Sequence, residues 1–246
     1  MARNRVVESP AEIQVESQAN NQAIQYSVDM VLCIDQTGSM GSIINRVKQS
    51  ALSFYDDIQR EMQKMEKAVS PLRIKVIGFR DYACEDDREK GLSPMDESPF
   101  FTLPDQREGF SAFINELKAA GGGDAPESGL EALALAIKSE WNLTGDKNRQ
   151  IIVVWTDTST HPIGKGSDHR DFPENMPKDI DELSDLWSGQ TMNESAKRLI
   201  LYAPDAPMWN DIAQTWFNVL IYPSKAGEGL SDVDYHVILS QIANSV

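Results

Sequence analysis

SVDMVLCIDQTGSMGS, residues 27–42, is the stretch on which the reading of the whole chain turns. Val28 to Ile34 is a run of apolar and β-favouring residues whose one charge, Asp29, stands near its start. A continuous run of this length is the pattern of a strand buried on both faces. It ends at Asp35, and small or oxygen-bearing residues follow: Gln36, Thr37, Gly38, Ser39, Met40, Gly41 and Ser42. A helical pattern then begins. Strand, tight loop and helix form the unit of open α/β sheets, where ligands bind at the C-terminal ends of the strands. One carboxylate and two hydroxyls on alternate residues, Asp35, Thr37 and Ser39, are expected to converge on that edge. They are hard oxygen donors, suited to Mg2+ or Mn2+ rather than zinc.

Further along, Ile44, Val47, Ala51, Phe54, Ile58, Met62 and Met65 keep i, i+3/i+4 spacing and predict one long helix, stopped by Ser70 and Pro71. Residues 72–79 (LRIKVIGF) read as a second strand ending in Arg80, Asp81 and Tyr82. Residues 84–98 read as a solvated acidic loop without EF-hand spacing. A short edge strand is expected within 99–103 and a helix within 106–119, from Phe110, Phe113, Ile114 and Leu117. In AAGGGDAPES, residues 119–128, three glycines permit a tight turn. Asp124 is a candidate helix cap there, and Pro126 suits a first helical turn. Leu130, Leu133, Ala134, Ile137 and Trp141 then share a helix face.

Residues 149–156 (RQIIVVWT) form a second wholly apolar strand, ending in Asp157, Thr158, Ser159 and Thr160. A long polar excursion over 159–189 carries His161, Asp168, His169 and Asp171, in a spacing that fits no zinc pattern. A helix is expected at its end, over 179–188. Strands at 199–203 and 217–222 and helices at 208–216 and 232–243 complete the alternation. The fold class expected is α/β: a doubly wound, mostly parallel, Rossmann-like sheet with helices on both faces. The organisation is a polar tail over 1–25 and one domain over 26–246.

The chain has 246 residues and a formal charge of −15, which opposes nucleic-acid binding and suits cations or basic surfaces. No apolar run approaches the roughly 20 residues of a membrane span, and MARNRVVESPAEIQ lacks a signal-peptide core. A cytoplasmic location is therefore expected. Cys33 and Cys84 are expected to be reduced.

In a parallel sheet the ends of the strands around Met30, Val76 and Val153 lie on one edge. Asp35, Thr37, Ser39 and Asp157 can meet there, with Asp124 arriving from the glycine loop. DQTGSM at 35–40, FRDY at 79–82, GGGDAPE at 121–127 and WTDT at 155–158 together resemble the von Willebrand factor type A (vWA) domain, in its DxTGSM and GGGDxPE branch. The resemblance spans about residues 27–246. It implies a metal-ion-dependent adhesion site (MIDAS), usually holding Mg2+, with Asp35, Thr37 and Ser39 as first-loop ligands. Asp157 would be the third-loop aspartate. The family's second loop usually supplies a threonine, and residues 119–128 contain none. Asp124 is the substitute proposed, and Ser128 the next choice. Arg80, Asp81, Ser128 and His161 are assigned to a partner-binding rim.

The function expected is metal-dependent protein interaction without catalysis, as an adaptor or regulatory subunit. A partner's Asp or Glu carboxylate would complete the ion's coordination. By analogy with stand-alone members of that family, AAA-type ATPases, protein kinases and phosphatases are partner classes. The rival reading is a Mg2+-dependent phosphatase of the haloacid dehalogenase type with Asp35 as nucleophile. Its motif needs a second acid where Thr37 stands. An aspartic protease would need Asp directly before Thr37-Gly38, where Gln36 intervenes. A P-loop is excluded because no GxxxxGK[ST] occurs.

Overall fold

A computed structural model describes residues 24–122, 125–144, 147–228 and 234–246. Residues 1–23 of the expected tail, and Asp124, lie outside the described residues. One mostly parallel sheet of seven strands forms the centre, and Ile24–Asp35 (β1) lies at its middle. Lys67–Phe79 (β2) pairs parallel on one side of β1. Asn148–Trp155 (β5), Lys197–Pro204 (β6) and Val219–Ser224 (β7) follow in parallel on the other. The short strands Met95–Glu97 (β3) and Phe101–Leu103 (β4) pair antiparallel with β2. The doubly wound expectation holds.

The alternation of β1 builds two cores. Met30, Leu32 and Ile34 face Gly41–Ser50 (α1), Phe54–Gln63 (α2), Arg107–Glu116 (α4) and Tyr235–Ser245 (α8). Val31 and Cys33 face Gly129–Ile137 (α5), Ile180–Ser188 (α6) and Pro207–Thr215 (α7). All five side chains are fully buried. At roughly 1.5–3 kcal/mol for each large apolar side chain, this strand anchors both layers.

Several boundaries differ from the sequence reading. The single long helix is two, α1 and α2, because the amides of Ala51 and Ser53 bond back to Lys48 and Ser50 in tighter turns. Ala51, Phe54 and Ile58 stay buried across the break, so the apolar stripe does not reveal it. Ser70 and Pro71 lie inside β2. A bulge between Tyr26 and Val28 absorbs the extra residue opposite them. The acidic loop contains a short helix, Glu85–Glu89 (α3), and β3, and it buries Asp87. Pro126 precedes α5 instead of starting it. Ser128 occupies the cap position with no cap bond, because its hydroxyl contacts Asp81 and the Tyr82 amide.

The long excursion is packed. Asp179 caps α6 by accepting from the Glu182 amide, and Trp187 stacks on Trp216. The buried Glu131 carboxylate of α5 accepts from the Gly164 amide at 2.8 Å and ties the loop down. Cys33 and Cys84 are buried and not joined in a disulfide. Among the described residues no helix is long and apolar enough to cross a membrane.

Burial pushes the Glu131 carboxyl up from 4.5 to about 7, against the opposing Gly164 hydrogen bond. Between those values the folded state holds a proton that the unfolded state has released, so stability falls as pH rises from about 4.5 to about 7. Denaturant unfolding across that range is expected to show a loss of roughly 2–3 kcal/mol from this group. Glu131→Gln should remove that component of the pH slope. An unchanged slope would show that Glu131 does not titrate in this way.

Candidate functional site

The chain moves from β1 to β2 on one side and later returns to place β5 on the other. The C-terminal ends of β1 and β5 therefore flank the switch point of the sheet, where open α/β sheets form their crevices. A cleft of about 460 Å³ opens there, lined by Thr37, Ser39, Gly122, Ala125, Glu127, Asp157, Thr158, Ala226 and Gly227.

Asp35, Thr37, Ser39 and Asp157 are brought together. The exposed Ser39 donates its hydroxyl to Asp157 Oδ1 at 3.0 Å, and Thr37 Oγ1 lies 3.3 Å from Ser39 Oγ. Asp35 is fully buried behind them. Its Oδ1 accepts from the Thr37 amide and its Oδ2 from the Thr156 hydroxyl, both at 2.8 Å. Burial raises the Asp35 carboxyl to about 6, and the Asp157 charge adds to the rise. The Thr37 and Thr156 hydrogen bonds oppose it.

The donor chemistry fits a hard divalent cation. Adjacent ligands of an octahedral Mg2+, each about 2.1 Å from the ion, lie about 3 Å from one another. The oxygens of Thr37, Ser39 and Asp157 have contacts of 3.3 and 3.0 Å. Among the described residues, Asp157 and Glu127 line the cleft and no basic side chain does. Among the described residues, no group of three or more His, Cys, Asp or Glu side chains is placed to hold a metal. The set is a mixture of hydroxyls and carboxylate, and it carries little neutralising charge.

The glycine loop is docked on the first loop. Gly38 N–H donates to Gly121 O at 3.2 Å, and Ala120 N–H donates to Gln36 O at 2.9 Å. Gly121 and Gly122 have φ of +83° and +73°, and a Cβ on Gly122 would stand 2.6 Å from Thr37 Cβ. Asp87 holds the turn by accepting from the Gly122 amide at 3.1 Å.

None of the four residues assigned to the rim lines the cleft. Arg80, Asp81 and Ser128 are buried, where a rim needs exposure. The Arg80 guanidinium donates to the carbonyls of Ser93, Lys118 and Ala120 at 2.6–2.8 Å, and to Gln36 Oε1 at 3.2 Å. Asp81 accepts from the Ser128 hydroxyl and lies 3.3 Å from His161 Nε2. These residues join the loops that carry the cleft. His169 lies elsewhere, against Tyr82 and Asp171, so the two histidines form no common cage.

Glu127 and Thr156 were not singled out, although both lie in the quoted motifs GGGDAPE and WTDT. Glu127 is buried on the cleft wall, and its backbone bridges to Thr160. Sequence alternation could not show which side of an irregular loop faces the cleft.

No family model matches the chain. It is 27% identical over 186 residues to a protein of Acanthamoeba polyphaga mimivirus described as an ariadne-like RING finger protein. That match takes in 74% of this chain and 16% of the viral protein. Among solved structures, the pilus adhesin SpaC of Lactobacillus rhamnosus GG is similar with a TM-score of 0.51 and 13% identity, over 89% of this chain and 30% of the adhesin chain. Its open conformation gives a TM-score of 0.50 at 12% identity. These similarities extend to the fold. The chain spans under a third of each of these proteins.

Gly122→Ala should displace Thr37 and strain the backbone. An unfolding free energy lower by about 1–3 kcal/mol is expected in thermal or denaturant melts. A variant as stable as the parent would show that the glycine loop does not need its close approach to Thr37.

Proposed function

We propose that this chain is a metal-dependent protein-interaction domain of the vWA kind, acting as an adaptor or regulatory module and not as a catalyst. The observation that carries the reading is the contact chain Thr37–Ser39–Asp157, three oxygens at octahedral spacing on a wall that, among the described residues, bears acids and no base. Thr37, Ser39 and Asp157 would hold Mg2+ or Mn2+, and Asp35 would position Thr37 through its amide. When bound, such an ion supplies a coordination position for a partner's Asp or Glu carboxylate.

The residues divide this work in a physically consistent way. Two of the three donors are neutral hydroxyls, so an acidic partner side chain is still attracted to a site within a strongly acidic chain. Ser39 is exposed and sets the open side, while Asp157 and Asp35 are buried and fixed. The partial match within a far longer viral protein is consistent with a module that serves larger assemblies.

The phosphatase reading has weaker support. A nucleophilic carboxylate must reach its substrate. Asp35 is fully buried, and each of its oxygens accepts a hydrogen bond.

Calorimetry with Mg2+ and Mn2+ tests the proposal. Wild type should bind, Asp157→Ala should lose binding, and Asp35→Asn should weaken it by about 10–100-fold as a supporting group. Capture of partners from extract should be lost in EDTA. Failure of wild type to bind either ion, with partner capture unchanged in EDTA, would reject the reading.

A further inference from the structure

The opposite end of the sheet carries the reverse charge. Lys67, Arg149 and Arg198 stand at or next to the first residues of β2, β5 and β6. Since these strands are parallel, all three lie on the edge remote from the cleft. They line a second cleft of about 570 Å³ together with Trp216, Phe217 and Leu220.

Among the described residues the cations are organised without acidic partners. Lys67 Nζ and the Arg149 guanidinium lie 5.6 and 5.0 Å from the centre of one ring, Tyr26, which is itself buried. Arg149 donates to the Asn148 carbonyl at 2.8 Å, while its buried Nε has no hydrogen-bond partner. Arg198 donates to the carbonyls of Lys197 and Ser195 at 2.7 and 3.2 Å. Among the described residues no carboxylate lies within salt-bridge distance of these three, and no acidic side chain lines the cleft. Burial and the neighbouring Arg149 charge both hold the Arg198 guanidinium below its ordinary range, so two like charges share the space uncompensated. The chain carries a net charge of −15, yet among the described residues no acidic side chain lines this cleft.

Apolar surface adjoins it. Phe217 is 79% exposed and Leu220 is 43% exposed. Their backbone is rigid, because the Trp187 indole donates to Phe217 O and the Leu199 amide donates to Asn218 O. A simple inorganic anion would not use this surface. Carboxylates beside a large apolar side chain would use both parts.

We infer that this cleft is a second docking site, for a short acidic segment of a partner protein that carries a large apolar residue. Its carboxylates pair with Lys67, Arg149 and Arg198, and its apolar side chain covers Phe217 and Leu220. The site needs no metal and is independent of the Thr37–Ser39–Asp157 edge.

The probe is a fluorescein-labelled peptide of glutamates with one central phenylalanine, compared by polarisation with its glutamine counterpart. The acidic peptide should bind wild type in EDTA and weaken with salt. Arg149→Gln with Arg198→Gln should weaken it by about tenfold or more. Phe217→Ser, a change at an exposed position that the fold tolerates, should weaken it too. Metal binding at the other edge should be unchanged in both variants. Equal binding of the two peptides, or full binding by the double arginine variant, would overturn the inference. Competition by inorganic phosphate with no effect of Phe217→Ser would reduce the cleft to an anion site and overturn it as well. A wild-type dimer in sedimentation that the double variant dissolves would assign the cleft to a second copy of this chain instead.

Discussion

The cleft depends on a buried guanidinium. Arg80 leaves the end of β2 and reaches the first loop at Gln36, the segment before the glycines at Lys118 and Ala120, and the approach to β3 at Ser93. Asp96 lies 3.6 Å from it. Taking such a charge out of water costs several kcal/mol, which only a full set of acceptors offsets. With the acceptors spread over three segments, none can shift without leaving the charge under-satisfied. The loops that carry Thr37, Ser39 and Glu127 are thereby held in one arrangement by a residue that does not line the cleft.

A second layer of restraint works on the other side. Asp81 links Ser128 at the start of α5 to His161 at the start of the long excursion. Glu127 bridges to Thr160, and Glu131 accepts from Gly164. The excursion therefore begins as a packed extension of the β5 end and not as a free loop. Its aromatic side chain Phe172 packs on Tyr82, and Trp187 packs on Trp216. Rigid support of this kind suits recognition by preformed geometry.

Charge is distributed by topology. Parallel strands place all their C-terminal ends together and all their N-terminal ends together, so one chain can present an acidic, hydroxyl-lined cleft at one edge and a cationic cleft at the other. The net charge of −15 conceals the second. Composition reports the sum, while a binding surface depends on which residues meet.

Strand, loop and helix order was legible in the sequence, because a run such as 28–34 has to be buried and a residue such as Asp35 has to end it. That pattern determined the fold class and the edge on which Asp35, Thr37, Ser39 and Asp157 stand. Features made by contact between distant segments were not legible. Periodicity continued through the break between α1 and α2, since the buried stripe is the same either way. The burial of Arg80, Asp81 and Ser128 follows from where the carbonyls and carboxylates of other loops come to lie. The meeting of Lys67, Arg149 and Arg198 at one cleft depends on strand order and register, which bring together residues up to 131 positions apart (Lys67 to Arg198). Local pattern specifies what must be buried and where a strand ends. Only the closed tertiary structure decides which polar groups find partners inside and which are left to meet a ligand.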